Sequence, residues 1–191
     1  MNKFILTAFT ATSLLLSSSP IFAGPLTISL GIPQEHTLTE NNEDGSKIEA
    51  DGSSGYFVGI KFPVGFGLGI DSYKTKFKGD TSKIVTFMYN IFYQFPIPVL
   101  NITIGLGSGK TELDCNACAE DYTDPESGKK TGYKAGEASQ WYTSFGIQLT
   151  QLTDIHISYR SVTSKKIEQV YNGAKVNYSG NVTGIGLAFS F

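Results

Sequence analysis

The feature that most restricts this chain is a two-residue alternation of apolar side chains that recurs in eight separate segments. Leu26, Ile28, Leu30 and Ile32 are separated by Thr27, Ser29 and Gly31. The same spacing returns at Tyr56, Val58, Ile60 and Phe62, at Val64, Phe66, Leu68 and Ile70, and in steps of two from Val85 to Phe95. Leu100 to Leu106, Trp141 to Leu149, Ile155 to Tyr159 and Ile185 to Phe191 complete the set. A period of two gives each strand one apolar and one polar face, so the expected class is all-β. Past the N-terminal segment there is no run of roughly 18 apolar residues, and any membrane crossing must use strands.

Whether the apolar face points in or out decides the environment. The intervening positions are small: Gly65, Gly67 and Gly69; Asn101, Thr103, Gly105 and Gly107; Gly184, Gly186, Ala188 and Ser190. A water-soluble barrel carries Lys, Glu and Arg outside, whereas the narrow interior of an eight-stranded barrel takes small polar groups. The apolar face is therefore expected to meet lipid. Charge placement agrees, because 27 of the 32 charged residues fall in residues 35–54, 73–83, 110–137 and 163–176. Those read as long loops, alternating with short reversals at Pro63–Gly65, Pro96–Pro98 and Gln151–Asp154. Phe62, Phe66, Phe95 and Phe191 at one end, and Tyr56, Tyr73 and Trp141 at the other, are expected to form interfacial girdles.

With its terminal Ile185, Leu187, Phe189 and Phe191, the pattern resembles the small eight-stranded outer-membrane β-barrels, the family of OmpX and the OmpA transmembrane domain. The resemblance implies an antiparallel up-and-down transmembrane barrel over residues 24–191, and that the last four apolar residues serve as a signal to the barrel assembly machinery. It says little about activity, since barrels of this size do unrelated things. Residues 1–23 read as a secretory signal: Lys3, an apolar run from Phe4 to Leu16, and a small residue at Ala23. Removing it shifts the formal charge from −2 to −3, and no basic excess points to nucleic acid.

Three constellations bear on chemistry. His156-Ile157-Ser158 resembles the His-x-Ser of outer-membrane lipid A deacylases, with Glu168 as the nearest downstream acid, but Tyr159 stands where those enzymes carry Asn. Strand parity turns His156 and Ser158 to the lumen, so interior packing is the preferred reading. Cys115-Asn116-Ala117-Cys118 is a weak metal signal in isolation, and in an exported chain it is expected to be a disulfide. Asp71 and Arg160 share the lumenal parity at comparable heights and are expected to pair across the bore, with Lys61, His156 and Asn90 completing a polar network. Bulky Phe57, Met88 and Phe92 would narrow the bore further.

The first and third charged segments are acidic, and the second and fourth basic. Basic segments at the outer surface suit lipopolysaccharide phosphates, and mutual pairing of exposed charges is the blander reading. The sequence thus leads to a monomeric, non-enzymatic membrane protein of the bacterial outer membrane that serves envelope structure, adhesion or interaction. It needs no cofactor or metal, and its partners are outer-membrane lipid and lipopolysaccharide. A passage for small apolar compounds is the alternative, and a lipid A-modifying hydrolase the less favoured one.

Overall fold

The computed structural model describes residues 26–39, 48–95, 97, 100–171, 173 and 175–191. The expected export signal, half of the acids of the first charged segment and most of the Pro96–Pro98 reversal lie outside the described residues. Eight long antiparallel strands close a barrel: β1 (Thr27–Leu38), β2 (Ala50–Lys61), β3 (Phe66–Phe77), β4 (Lys83–Phe95), β5 (Leu100–Asp114), β7 (Gly136–Thr150), β8 (Thr153–Ser164) and β11 (Gly180–Ser190). Each pairs with its neighbour along the chain, and β1 joins β11 to finish the ring. Closure leaves no edge strand, which is what a sheet needs to cross a bilayer with every backbone polar group satisfied. Three short strands, β6 (Tyr133–Lys134), β9 (Ile167–Gln169) and β10 (Lys175–Val176), form a separate sheet in the order β10-β9-β6.

The exterior carries the apolar alternation. Leu30, Ile32, Leu68, Ile91, Leu106, Ile147, Ile157 and Leu187 are all exposed. On β4 this face runs from Phe87 to Phe95, roughly 27 Å along the strand at about 3.4 Å per residue. Tilted as in membrane barrels, that span comes close to the apolar band of about 25 Å. Phe66, Tyr93 and Phe95 stack at its lower edge with ring centroids 4.9 and 5.2 Å apart. Trp141 and Tyr159 pack against each other nearer the loops, 5.8 Å apart. Such a belt in water would be an aggregation surface, and in lipid it is the expected boundary.

Three expectations are corrected. Tyr73 is 1% exposed and points into the lumen, so it is no girdle residue. Its odd-numbered parity matches that of Asp71, and the parity rule outweighs the preference of aromatics for interfaces. Residues 73–83 are not a long loop: β3 and β4 run on as a hairpin, and only residues 78–82 turn. Gly79 adopts φ 79° in that turn, and Asp80 Oδ1 accepts from the Ser82 amide and hydroxyl. Finally, residues 110–137 and 163–176 contribute strand ends and the β10-β9-β6 sheet rather than loops alone. The extra strand length lifts the barrel above its apolar belt.

Candidate functional site

The small lumenal residues do not line an open bore; several are sockets for aromatic rings from the neighbouring strand. A Cβ on Gly105 would lie 2.2 Å from the Tyr142 ring, and one on Gly67 would lie 2.2 Å from the Phe92 ring. Gly105 stands directly opposite Tyr142 in the β5–β7 ladder and Gly67 opposite Phe92 in the β3–β4 ladder, so each ring folds over the bare backbone of the adjacent strand. Gly67, Gly69, Gly105 and Gly107 are on the expected face, where they serve packing, whereas Gly65 lies in the turn before β3 at φ 89°.

At mid-height sits the polar layer. Arg160 Nε on β8 donates to Asp71 Oδ2 on β3 at 2.9 Å, and both side chains are nearly fully buried. Gln140 Nε2 on β7 also donates to Asp71 Oδ2, at 2.6 Å, and to Asn90 Oδ1 on β4 at the same distance. Arg160 Nη1 donates to the Ser158 hydroxyl. The guanidinium lies over the Phe57 ring at 3.5 Å from its centroid and faces Tyr142 at 5.0 Å. A buried charge needs both an opposite charge and hydrogen bonds, and this layer supplies two donors to Asp71 and two acceptors to Arg160.

Of the residues proposed for this network, Asn90 enters it through Gln140, while Lys61 and His156 make no hydrogen bond to Asp71 or Arg160 among the described residues. Gln140 and Ser158 take those places. Gln140 carried a usable signal, because its parity on β7 is lumenal, but its register against β4 was not readable from the sequence. Lys61 and His156 line a cavity of about 70 Å³ that reaches from Asp71, Asn90 and Arg160 of the layer down to Asp154 and Asn101. Asn101 Nδ2 donates to Asp154 Oδ2 at 2.6 Å.

Above the polar layer the lumen is apolar. Phe57, Tyr73, Met88, Ala138, Val162 and Val182 form one buried cluster, with Met88 and Val182 0% exposed. Higher still, His36 Nδ1 and Thr75 Oγ1 are 2.8 Å apart. The mouth is closed by a second cluster, Ile84, Ile167 and Tyr178, packed against Leu38, Phe77, Leu113 and Tyr133. Ile167 belongs to β9, so the small sheet closes the barrel like a lid. Nothing in the alternation of the eight long strands announced this lid, whose residues come from the charged segments.

The His-x-Ser pair is not assembled for hydrolysis. Ser158 is buried and accepts from Arg160, His156 makes no hydrogen bond to it among the described residues, and Glu168 lies on β9 in the lid. Cys115 and Cys118 are joined by a disulfide in the segment between β5 and β6. The charged segments pair across their signs: Lys78 with Glu49 at 2.6 Å, Lys165 with Glu137 at 2.6 Å and Lys74 with Asp114 at 3.2 Å. Beside Glu49 the Lys78 ammonium is held above the usual lysine range, and Lys165 holds the Glu137 carboxyl below the usual carboxylate range. All three pairs are exposed and contribute little to stability.

No family model matches the chain, and no curated protein matches it. Solved structures do. Neisserial surface protein A superimposes with a TM-score of 0.59 at 12% identity, covering 88% of this chain and 97% of that one. The N-terminal β-barrel domain of OprF from Pseudomonas aeruginosa gives 0.52 at 12% identity, covering 88% and 99%. OprG from the same organism gives 0.51 at 13% identity, covering 88% and 96%. The fold is that of the small eight-stranded outer-membrane β-barrels.

Proposed function

We propose that this protein is a sealed, non-catalytic barrel of the outer membrane, whose lid and strand extensions form a rigid surface for envelope structure or interaction. The observation that carries this reading is the filling of the lumen from the ionic layer up to the mouth. An ionic layer around Arg160 and Asp71, an apolar layer around Met88 and Val182, and a lid around Ile84 and Ile167 follow one another along the axis. An aqueous pore needs a polar path, and a passage for apolar compounds needs space; the packed layers offer neither. A hydrolase needs a free nucleophile near its base, and Ser158 is committed to Arg160. The terminal residues fit the assembly role that the resemblance implies, since Ile185, Leu187 and Phe191 are exposed on the lipid side of the closing strand.

Planar-bilayer recording of the purified, folded protein tests the reading. The expected result is no conductance steps above the bare bilayer, and none from Arg160→Gly combined with Phe57→Ala either, because the Met88 and Val182 layer and the lid still close the axis. Steady conductance from the unaltered protein refutes the sealed barrel. An altered lipid A mass spectrum in cells making the protein refutes the non-catalytic part.

A further inference from the structure

On the outer face of β3, β4 and β5 the strand register builds a vertical sequence of chemistries. Lowest is an apolar groove of about 610 Å³, walled by Val58, Ile60, Leu68, Ile70, Ile91 and Leu106. Its floor is low because Ser108 stands where the adjacent outward positions of β5 carry Leu106 and Ile104, exposing the backbone of Gly69 and Gly107. Next come Phe87 and Tyr89, whose rings meet edge to face at 4.9 Å. Above them four lysines share this face: Lys74 and Lys76 on β3, Lys83 on β4 and Lys110 on β5. Lys74 lies four residues beyond Ile70, which is roughly 13 Å along the strand.

Among the described residues, only two of these four lysines have an acid partner. Lys110 pairs with Glu112, and Lys74 pairs with Asp114 at 3.2 Å. Lys76 and Lys83 stand directly opposite each other in the β3–β4 ladder, and neither has an ion pair among the described residues. Asp114, across from Lys83 on its other side, is turned to Lys74 instead. Like charges directly opposite on one sheet face are destabilising unless something lies between them. The position argues for an anion: the pair sits just above an apolar belt, where the headgroup phosphates of a lipid would lie.

We propose that this face binds a phosphorylated acyl lipid of the outer leaflet, one acyl chain lying in the groove and a phosphate bridging Lys76 and Lys83. The site rests on the membrane-barrel reading above and gives it a specific lipid partner. The aromatic pair Phe87 and Tyr89 lines the level between chain and phosphate, as amphipathic rings do at a membrane boundary. Lys74 and Lys110, held out by their acid partners, flank the phosphate position.

The test is native mass spectrometry of the folded protein released from detergent micelles doped with bis-phosphorylated lipid A, its dephosphorylated form, or phosphatidylcholine. Retention of bis-phosphorylated lipid A over the other two is expected. Each basic side chain beside an anionic lipid surface contributes on the order of five-fold in affinity, so Lys76→Ser with Lys83→Ser should lower retention about 25-fold. Ser108→Leu, which fills the groove, should also lower it, while Lys165→Ser with Lys166→Ser, the same charge change on the lid side, should not. Equal retention of the phosphorylated and dephosphorylated lipids, or an equal loss from both lysine pairs, overturns the proposal. Heat-dependent gel migration, recorded on every variant, reports the barrel separately: if it is kept while lipid preference is absent, only the lipid site fails.

Discussion

Replacing Arg160 with Met tests the ionic layer most directly, because Met keeps much of the apolar stem and removes the charge. In the folded barrel Asp71 would retain one neutral donor, Gln140 Nε2 at 2.6 Å, and lose the guanidinium at 2.9 Å. Stranding one member of a buried pair costs about 3–5 kcal/mol. The contact of the guanidinium with the Phe57 ring, 3.5 Å from its centroid, adds to the loss. Asp71→Asn should cost a similar amount by stranding Arg160. The double variant should lose less than the sum of the two, by roughly 2–3 kcal/mol, because it leaves no uncompensated charge. The assay is urea unfolding in phosphatidylcholine bilayers, followed by the fluorescence of Trp141, the chain's single tryptophan. With a slope near 2 kcal/mol per molar urea, a 4 kcal/mol loss moves the midpoint by about 2 M. Strictly additive losses would show that the two side chains are stabilised separately and would refute the coupled layer.

Gly105→Val should destabilise the barrel by about 1–3 kcal/mol, since the new side chain meets the Tyr142 ring, and Tyr142→Ala in the same chain should restore part of the loss in the urea assay. Cys115→Ser with Cys118→Ser should leave the unfolding midpoint nearly unchanged, because a ring spanning three positions removes little entropy from the unfolded chain. A large drop would mean that the disulfide organises the lid. Ile167→Ala, in the buried lid cluster, should speed amide exchange in residues 133–134 and 175–176 while leaving exchange in the barrel strands unaltered. Uniform protection in both would deny the lid its separate cluster.

The parts legible in the sequence were those set by a local period. The eight strands follow from alternation because lipid outside and packed lumen inside impose opposite demands on successive residues, and one mistaken step would invert a whole strand. The placement of Asp71, Met88 and Arg160 inside follows from the same parity. Tyr73 obeys the same parity, although an aromatic near a strand end otherwise suits an interface. What stayed hidden depends on contacts between residues far apart in the chain. Gln140 reaches Asp71 from 69 positions away, and the two meet only because the closed ring brings β3 and β7 across a narrow lumen.

The lid was hidden for a related reason. Charged and polar residues in 110–137 and 163–176 look like solvated loop, and most of their side chains are; three apolar residues, Ile84, Ile167 and Tyr178, are enough to close the mouth once the strands rise above the lipid. The extension that makes room for this cluster also sets Lys76 opposite Lys83 on the outside. On the inner face the added residues pack against the lid, and on the outer face they have left the acyl region, so only there can a cross-strand pair of lysines persist. One change in strand length therefore gives a sealed interior and a cationic exterior together. Shortening the β3–β4 hairpin by a matched pair of residues on each strand, Lys76 and Phe77 with Lys83 and Ile84, should then loosen the lid and abolish the preference for phosphorylated lipid in a single variant. Survival of either property would show that the two do not share this origin.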